Sequence, residues 1–499
     1  MGTSVTQRVF SQEDHKAFQE KLHQQLDELK DIIDCPVFGK EPLKLGAELE
    51  MYLTDPQGNV SFSNQALLSK LQDDQFQPEL NQYNLELNLS AFALNEQPLN
   101  QLHDEISTKL HHLNHTASQL NISPVAIGIL PTLEKRHLNM QYMTDVPRYH
   151  NLAHFLYQER GQAFEVNING EEQLTMSFDD ICAEGANTSF QVHLMIPPER
   201  FAKVFNAAQL SSPLVTAVGA NSPIFMGKKL WHETRVALFK QALDIRLRNK
   251  VKWQEPTRVN FGFGWVRESP WELFAEAVAL YPTVMPFISK EQNNAAISAA
   301  SGSADTKALP PLNELSLHMG TLWPWHRPVY SNQGNGHIRI EFRAIPAGPS
   351  VIDMVANTAF AIGLANGLAD DIDRLICQVP FRFAEYNFYR AAQQGLFAKI
   401  LWPLKLKYRA SEVAITDVIE HMLPIAEQGL INLGISEQEA KHYLAVIANR
   451  LLTAQNGAMW QKNTLNKLLN EHEKPEALQE LVKRYLTNSQ ANIPVANWE

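Results

Sequence analysis

Four short segments of this 499-residue chain share one pattern that restricts the fold more than any other feature. Each alternates polar and apolar residues over a run too short for a helix. In GAELEMYL, Glu48 and Glu50 alternate with Ala47, Leu49, Met51 and Leu53. In NLELNL, Asn84, Glu86 and Asn88 alternate with Leu85, Leu87 and Leu89. SFQVHLMI sets Ser189, Gln191 and His193 against Phe190, Val192, Leu194 and Ile196, and IRIEFRA sets Arg339, Glu341 and Arg343 against Ile338, Ile340, Phe342 and Ala344. Residues two apart on a strand share a face, so each segment predicts a strand that is half core and half polar.

If the four lie in one sheet, helices cover the apolar side. The polar side becomes a cavity wall bearing Glu48, Glu50, Glu86, Glu341, His193, Arg339 and Arg343. A single strand of this kind also suits the solvated face of an ordinary antiparallel sheet; four of them favour a site. Carboxylates this crowded push one another toward protonation unless cations hold them, and hard divalent cations take oxygen ligands. Magnesium or manganese carrying ATP phosphates fits that need, and the arginines suit the remaining phosphate charge because a planar guanidinium donates two parallel hydrogen bonds. The sequence has no GxxxxGK[ST] loop, no GxGxxG opening a helix after a strand, no GxSxG and no HExxH. A nucleotide would therefore bind the sheet itself.

Between these strands the pattern is mixed, and the fold class predicted is α+β. A charged helical run from about Gln12 to Ile33 ends at Pro36 and Gly39, and Asp55-Pro56-Gln57-Gly58 closes the first strand as a turn. An amphipathic helix is predicted over Pro98 to Leu120, a strand in SPVAIGIL, a loop-rich stretch from Pro131 to Pro147, and helices over Pro197 to Ala220 and Trp231 to Asn249. Residues 286–311 are small and polar and read equally as a closing lid or as a passive insertion. From Val351 to about Asn488 the pattern is almost entirely helical. The division predicted is an N-terminal helix in 1–40, a catalytic body in 41–375 and a helical C-terminal region in 376–499.

A formal charge of -11 argues against nucleic acid as a partner. Cys35, Cys182 and Cys377 have no CxxC spacing, which points to a reducing compartment, and the N-terminal residues have no apolar signal core. VIDMVANTAFAIGLANGLADDI carries Asp353, Asn357 and Asn366 and predicts a buried helix, so the chain is read as cytoplasmic with no membrane partner. His111 and His115 stand at i, i+4 spacing but suit a solvent-facing helix, and the acidic neighbours of Cys182 argue against a reactive thiol.

The strand motifs resemble the glutamate-cysteine ligase family, in its plant and proteobacterial branch, and its carboxylate-amine ligase relatives, from about Leu43 to Ala369. GAELEMYLTDPQGNV is similar to the family strand whose glutamates, here Glu48 and Glu50, bind metal. PELNQYNLELN resembles the next motif, with Glu79 and Glu86. In NTSFQVHL, His193 falls where the carboxylate-amine ligases have a histidine beside metal and nucleotide, while the plant-type enzymes usually have asparagine. VGANSPIFMGKKLWHETR places Arg235 for the substrate carboxylate or the transferred phosphate. FGFGWV and HMGTLWPWHRPVY are also similar to family segments, and IRIEFRAIPAGPS gives Glu341 to metal and Arg343 to phosphate.

The resemblance implies a glutamine synthetase-like core with a curved, mainly antiparallel sheet of about six strands, and an ADP-forming ligase using magnesium or manganese. ATP phosphorylates the γ-carboxylate of glutamate, and an amine attacks the acyl phosphate. Cysteine is the first acceptor implied; another amine, or a catalytically silent relative, is left open. In this scheme the ligands are Glu48, Glu50, Glu79, Glu86, His193 and Glu341, with Gln191, His193 and Arg343 toward the nucleotide and Arg343, Arg235 and Arg339 as catalytic cations. The partners implied are small molecules, and the protein is a monomer or homodimer.

Overall fold

The computed structural model describes residues 10–247, 254–289, 309–404 and 409–499. All four alternating segments are strands of one sheet and neighbours in it. The order is His326–Ser331, His337–Phe342, Phe190–Ile196, Lys44–Thr54, Asn84–Asn88, Phe76–Pro78, with Phe92–Ala93 and Ser123–Val125 added onto Lys44–Thr54. Every pairing in it is antiparallel. The sheet has eight strands, six on the main path and two short additions, and with its helices it makes the protein α+β.

The alternation decides which side is core. Leu45, Leu49, Met51, Leu85, Leu87, Phe190, Val192, Leu194, Ile338 and Ile340 are all fully buried. At roughly 1.5–3 kcal/mol for each large apolar side chain removed from water, this face fixes the register, because a one-residue slip would turn it to solvent. Helices Pro198–Gly219 and Val351–Gly367 pack on each other and reach the sheet. The segment Val351–Gln378 is apolar and long enough to cross a membrane by composition, yet 89% of its apolar window is buried, so it is a core helix. Ile415–Asn432 crosses Val351–Gly367 closely: a Cβ on Gly363 would lie 2.6 Å from the Ala426 carbonyl oxygen, which excludes any larger residue there. Residues past 376 thus share the core of the catalytic body.

Outside the sheet the expectations needed correction. The helix expected to run to Asn249 spans only Thr234–Ala242. A helix, Pro147–Arg160, and a hairpin, Phe164–Asn169 with Gln173–Phe178, follow the loop-rich stretch. A second hairpin, Lys399–Trp402 with Ser411–Ala414, interrupts the C-terminal helices. Of residues 286–311, read as lid or insertion, 290–308 lie outside the described residues. His111 and His115 are exposed on helix Pro98–Ser118, and Cys182 is buried, with its thiol pushed upward by burial and by Asp180.

Candidate active site

Strand register builds the polar wall. Glu50 stands opposite Glu86, Glu48 opposite Asn88 on one side and Gln191 on the other, and His193 opposite Glu341. Directly opposed residues on one face have Cβ atoms about 4.5–5.5 Å apart, so the charges meet. The six residues expected to hold metal fall into two groups of three. Ligand atoms of Glu48, His193 and Glu341 lie within 4.8 Å of one another, and so do those of Glu50, Glu79 and Glu86. Glu79 reaches the second group from the end of strand Phe76–Pro78, where it caps the Leu80 N–H at 3.0 Å.

The two groups differ electrostatically. Burial alone would raise Glu341, but Arg327 and Arg343 outweigh it and hold the carboxyl well below its usual range. Arg327 grips both Glu341 oxygens, at 2.5 and 2.9 Å, and Arg343 Nη1 donates to Oε1 at 2.7 Å. Burial of Glu48 is likewise outweighed by His193, whose Nε2 is 3.3 Å from Glu48 Oε1. Arg339 donates from Nε to His193 Nδ1 at 3.1 Å, which fixes the ring with Nε2 toward Glu48. In the other group burial and like charge prevail. Glu86 is raised well above its usual value by burial, Glu48 and Glu79, Glu79 is raised by burial, and Glu50 is pushed up to about 7 by burial and Glu79 despite Arg343 and Arg235.

Both donor sets fit a hard divalent cation: the first is two carboxylates and an imidazole, the second three carboxylates whose charge Arg343, Arg235 and Arg148 offset only in part. Gln191 lies between them. It donates to Glu50 Oε1 at 2.7 Å and accepts from Arg343 Nη1, while Ser189 supplies its N–H and hydroxyl to Glu50 Oε2 at 2.6 and 2.9 Å. Arg235 is buried with Glu233, at 3.1 Å, and its charge acts on Glu50; its Nε and that of Arg343 have no partner among the described residues.

Sequence reasoning missed several groups here. Arg327 lies on strand His326–Ser331, which Pro328 disguised, and Glu233 sits two residues from the arginine it neutralises. Arg148, in the first turn of Pro147–Arg160, acts on Glu79, and Glu79 in turn acts on Tyr149; both follow directly on the loop-rich stretch, where the sequence pattern marks no element. Glu184 lies within range of Glu79 and Glu50 on a single 3₁₀ turn that no periodicity marks.

The profile of glutamate-cysteine ligase family 2 matches residues 44–484. The chain belongs to that family. As a member it is a ligase of the glutamate-cysteine and carboxylate-amine type. The fold agrees with a glutamate-cysteine ligase from Francisella tularensis solved in complex with AMP, at a TM-score of 0.55 and 12% identity over 91% of this chain and 90% of that one. Two more distant structures are a bifunctional glutathione synthetase from Pasteurella multocida (TM-score 0.47, 10% identity, 94% of this chain and 55% of that one) and the ligase PafA with the ubiquitin-like protein Pup (0.38, 8%, 90% and 72%). No curated protein sequence matches this family member.

Proposed function

We propose that the protein phosphorylates the γ-carboxylate of L-glutamate with ATP, releasing ADP, and joins it to the amino group of L-cysteine. The observation that carries this reading is the pair of facing ligand groups, Glu48–His193–Glu341 and Glu50–Glu79–Glu86, joined through Gln191 and Arg343. These residues would hold two divalent cations, Mg2+ or Mn2+, which when bound supply positive charge to the phosphate oxygens of ATP. Phosphoryl transfer asks mainly for positioning and charge. Arg343, buried beside Glu341 with its Nε unpaired among the described residues, donates to the phosphoryl group in transfer. Arg339 keeps His193 oriented, and Arg235, backed by Glu233, holds the substrate carboxylate. The acceptor nitrogen then attacks the acyl carbon; the C–N bond forms and the C–O bond to phosphate breaks.

His193 favours a second reading for the acceptor, since it matches the carboxylate-amine ligases and not the plant-type asparagine. One assay decides both. Purified protein with Mg2+, ATP and L-glutamate is given L-cysteine, ammonia or putrescine, and ADP and product mass are followed. Glutamate-dependent ADP with the mass of γ-glutamylcysteine supports the reading; a different amide changes the acceptor; no ADP above the glutamate-free blank sinks the function.

A further inference from the structure

We propose that Glu184 and Asn84 form a pocket beside the Glu50–Glu79–Glu86 group that receives the ammonium group of the amine acceptor, an inference that rests on the ligase reading above. Along the polar face the rows run His193 with Gly46, Gln191 with Glu48 and Asn88, Glu50 with Glu86, and then Tyr52 with Asn84. The last row lies on the far side of the Glu50 group from His193 and Arg339, so a group bound there stands away from the residues assigned to the nucleotide.

The 3₁₀ turn Glu184–Ala186 closes over this row. Tyr52 Oη donates to the Ala186 carbonyl at 2.7 Å, and a Cβ on Gly185 would lie 3.5 Å from Asn84 Oδ1 and 3.0 Å from Asn81 Cγ. Glu184 precedes the glycine that makes this contact, and burial together with the charges of Glu79 and Glu50 pushes its carboxyl up to about 8, so the group lacks a positive neighbour that would hold it ionised. Its carboxylate has no hydrogen bond or ion pair among the described residues.

Asn84 provides the independent observation. It is 2% exposed, and both its Oδ1 and Nδ2 are buried without a partner among the described residues. Folded proteins rarely leave a buried amide unpaired at both ends, and one that is unpaired at a substrate wall is a group held for a ligand. The ionised Glu184 and the Asn84 amide oxygen are both acceptors, so they call for a donor that also brings positive charge. A primary ammonium carries three N–H donors and the matching charge.

The test compares wild type with Glu184→Gln, using Mg2+, ATP and L-glutamate with hydroxylamine, which is uncharged at neutral pH, and with L-cysteine, ammonia and putrescine, whose amino groups are cations at that pH. Losing a charge-assisted hydrogen bond should raise the acceptor KM for the cations by roughly 10- to 100-fold. Hydroxamate formation should fall far less, and KM for glutamate and ATP should hold; that hydroxamate activity also shows that the variant is folded. Equal losses with hydroxylamine and the cations, or no change with either, would overturn the pocket. So would a wild type that forms hydroxamate but uses none of the three cations. A wild type that forms no hydroxamate at all fails the ligase reading itself, a distinguishable result. Asn84→Leu, which keeps the volume and removes the acceptor, should reproduce the selective loss in weaker form.

Discussion

The side-chain amide of Gln191 donates to Glu50 Oε1 at 2.7 Å. Its oxygen accepts from Arg343, so one side chain holds a ligand of the second group and the cation assigned to the phosphoryl group. Partners of this kind orient metal ligands, and their loss typically costs about 10- to 100-fold in affinity or activity. Gln191→Ala should raise the half-saturating Mg2+ concentration by about 10-fold or more while the protein stays folded. A magnesium titration of activity that superimposes on wild type would show that Gln191 orients neither neighbour.

Arg343→Lys keeps a positive charge and loses the planar guanidinium, whose Nη1 donates to both Gln191 and Glu341 and leaves its other N–H groups for phosphate oxygens. A cation acting on the transferring phosphoryl group is worth on the order of 10³-fold in turnover. The variant should therefore bind ATP and glutamate nearly as wild type but turn over far more slowly. Arg235→Lys should instead raise KM for glutamate, with turnover at saturation less affected. Steady-state kinetics of both variants would expose an exchange of the two roles.

Among the described histidines, five are shifted toward the neutral form, and His326, His232 and His318 are the most deeply buried of them. Burial lowers His326 to about 3, burial and Lys462 lower His232 to about 3, and burial, opposed by the Ala277 carbonyl, lowers His318 to about 4. Their folded values lie below the unfolded value of about 6.5, so the unfolded chain binds more protons as pH falls. The stability they contribute is complete above about pH 6.5 and is lost as pH drops toward their folded values. Chemical unfolding should show weaker stability at pH 5 than at pH 7. His326→Phe, placed between Phe205 and Phe342, should make that slope shallower.

What the sequence disclosed follows from period two. Glu48, Glu86, His193 and Glu341 each sit in an apolar run whose burial sets the register, so a strand reading also locates the charges. Glu79 and Arg235 lie off such runs, and the family resemblance brought them in. Glu184 and Arg148 had neither help, and Arg327 lay in the family-like segment HMGTLWPWHRPVY without being singled out. Arg327 shares a short strand with Pro328, which lowers strand propensity, Glu184 sits on one turn of 3₁₀ helix, and Arg148 begins a helix whose few buried residues leave little apolar stripe. The hairpin at Lys399–Trp402 was hidden because its strands are four residues each between long helices.

The contrast between the two ligand groups gives opposite signs for one substitution. Glu341 is buried and shared by Arg327 and Arg343, so Glu341→Gln leaves two guanidiniums facing a neutral amide. Breaking a buried pair from one side costs about 3–5 kcal/mol, and the melting temperature in EDTA should fall. Glu86 sits among Glu48, Glu79 and Glu50, and Asn88 donates to it at 2.8 Å. Its pKa is raised, so its charge opposes the fold as pH rises above the ordinary carboxylate range, and Glu86→Gln removes that opposition. In EDTA at pH 7.5 or so, Glu86→Gln should melt higher than wild type. With Mg-ATP the order should reverse, because wild type gains stability by binding and the variant has lost a ligand. Thermal melts of the three proteins with EDTA and with Mg-ATP check the pair of signs. If Glu86→Gln melted below wild type in EDTA, the Glu50–Glu79–Glu86 group would not be a site of unrelieved negative charge, and the second cation position would have to be abandoned.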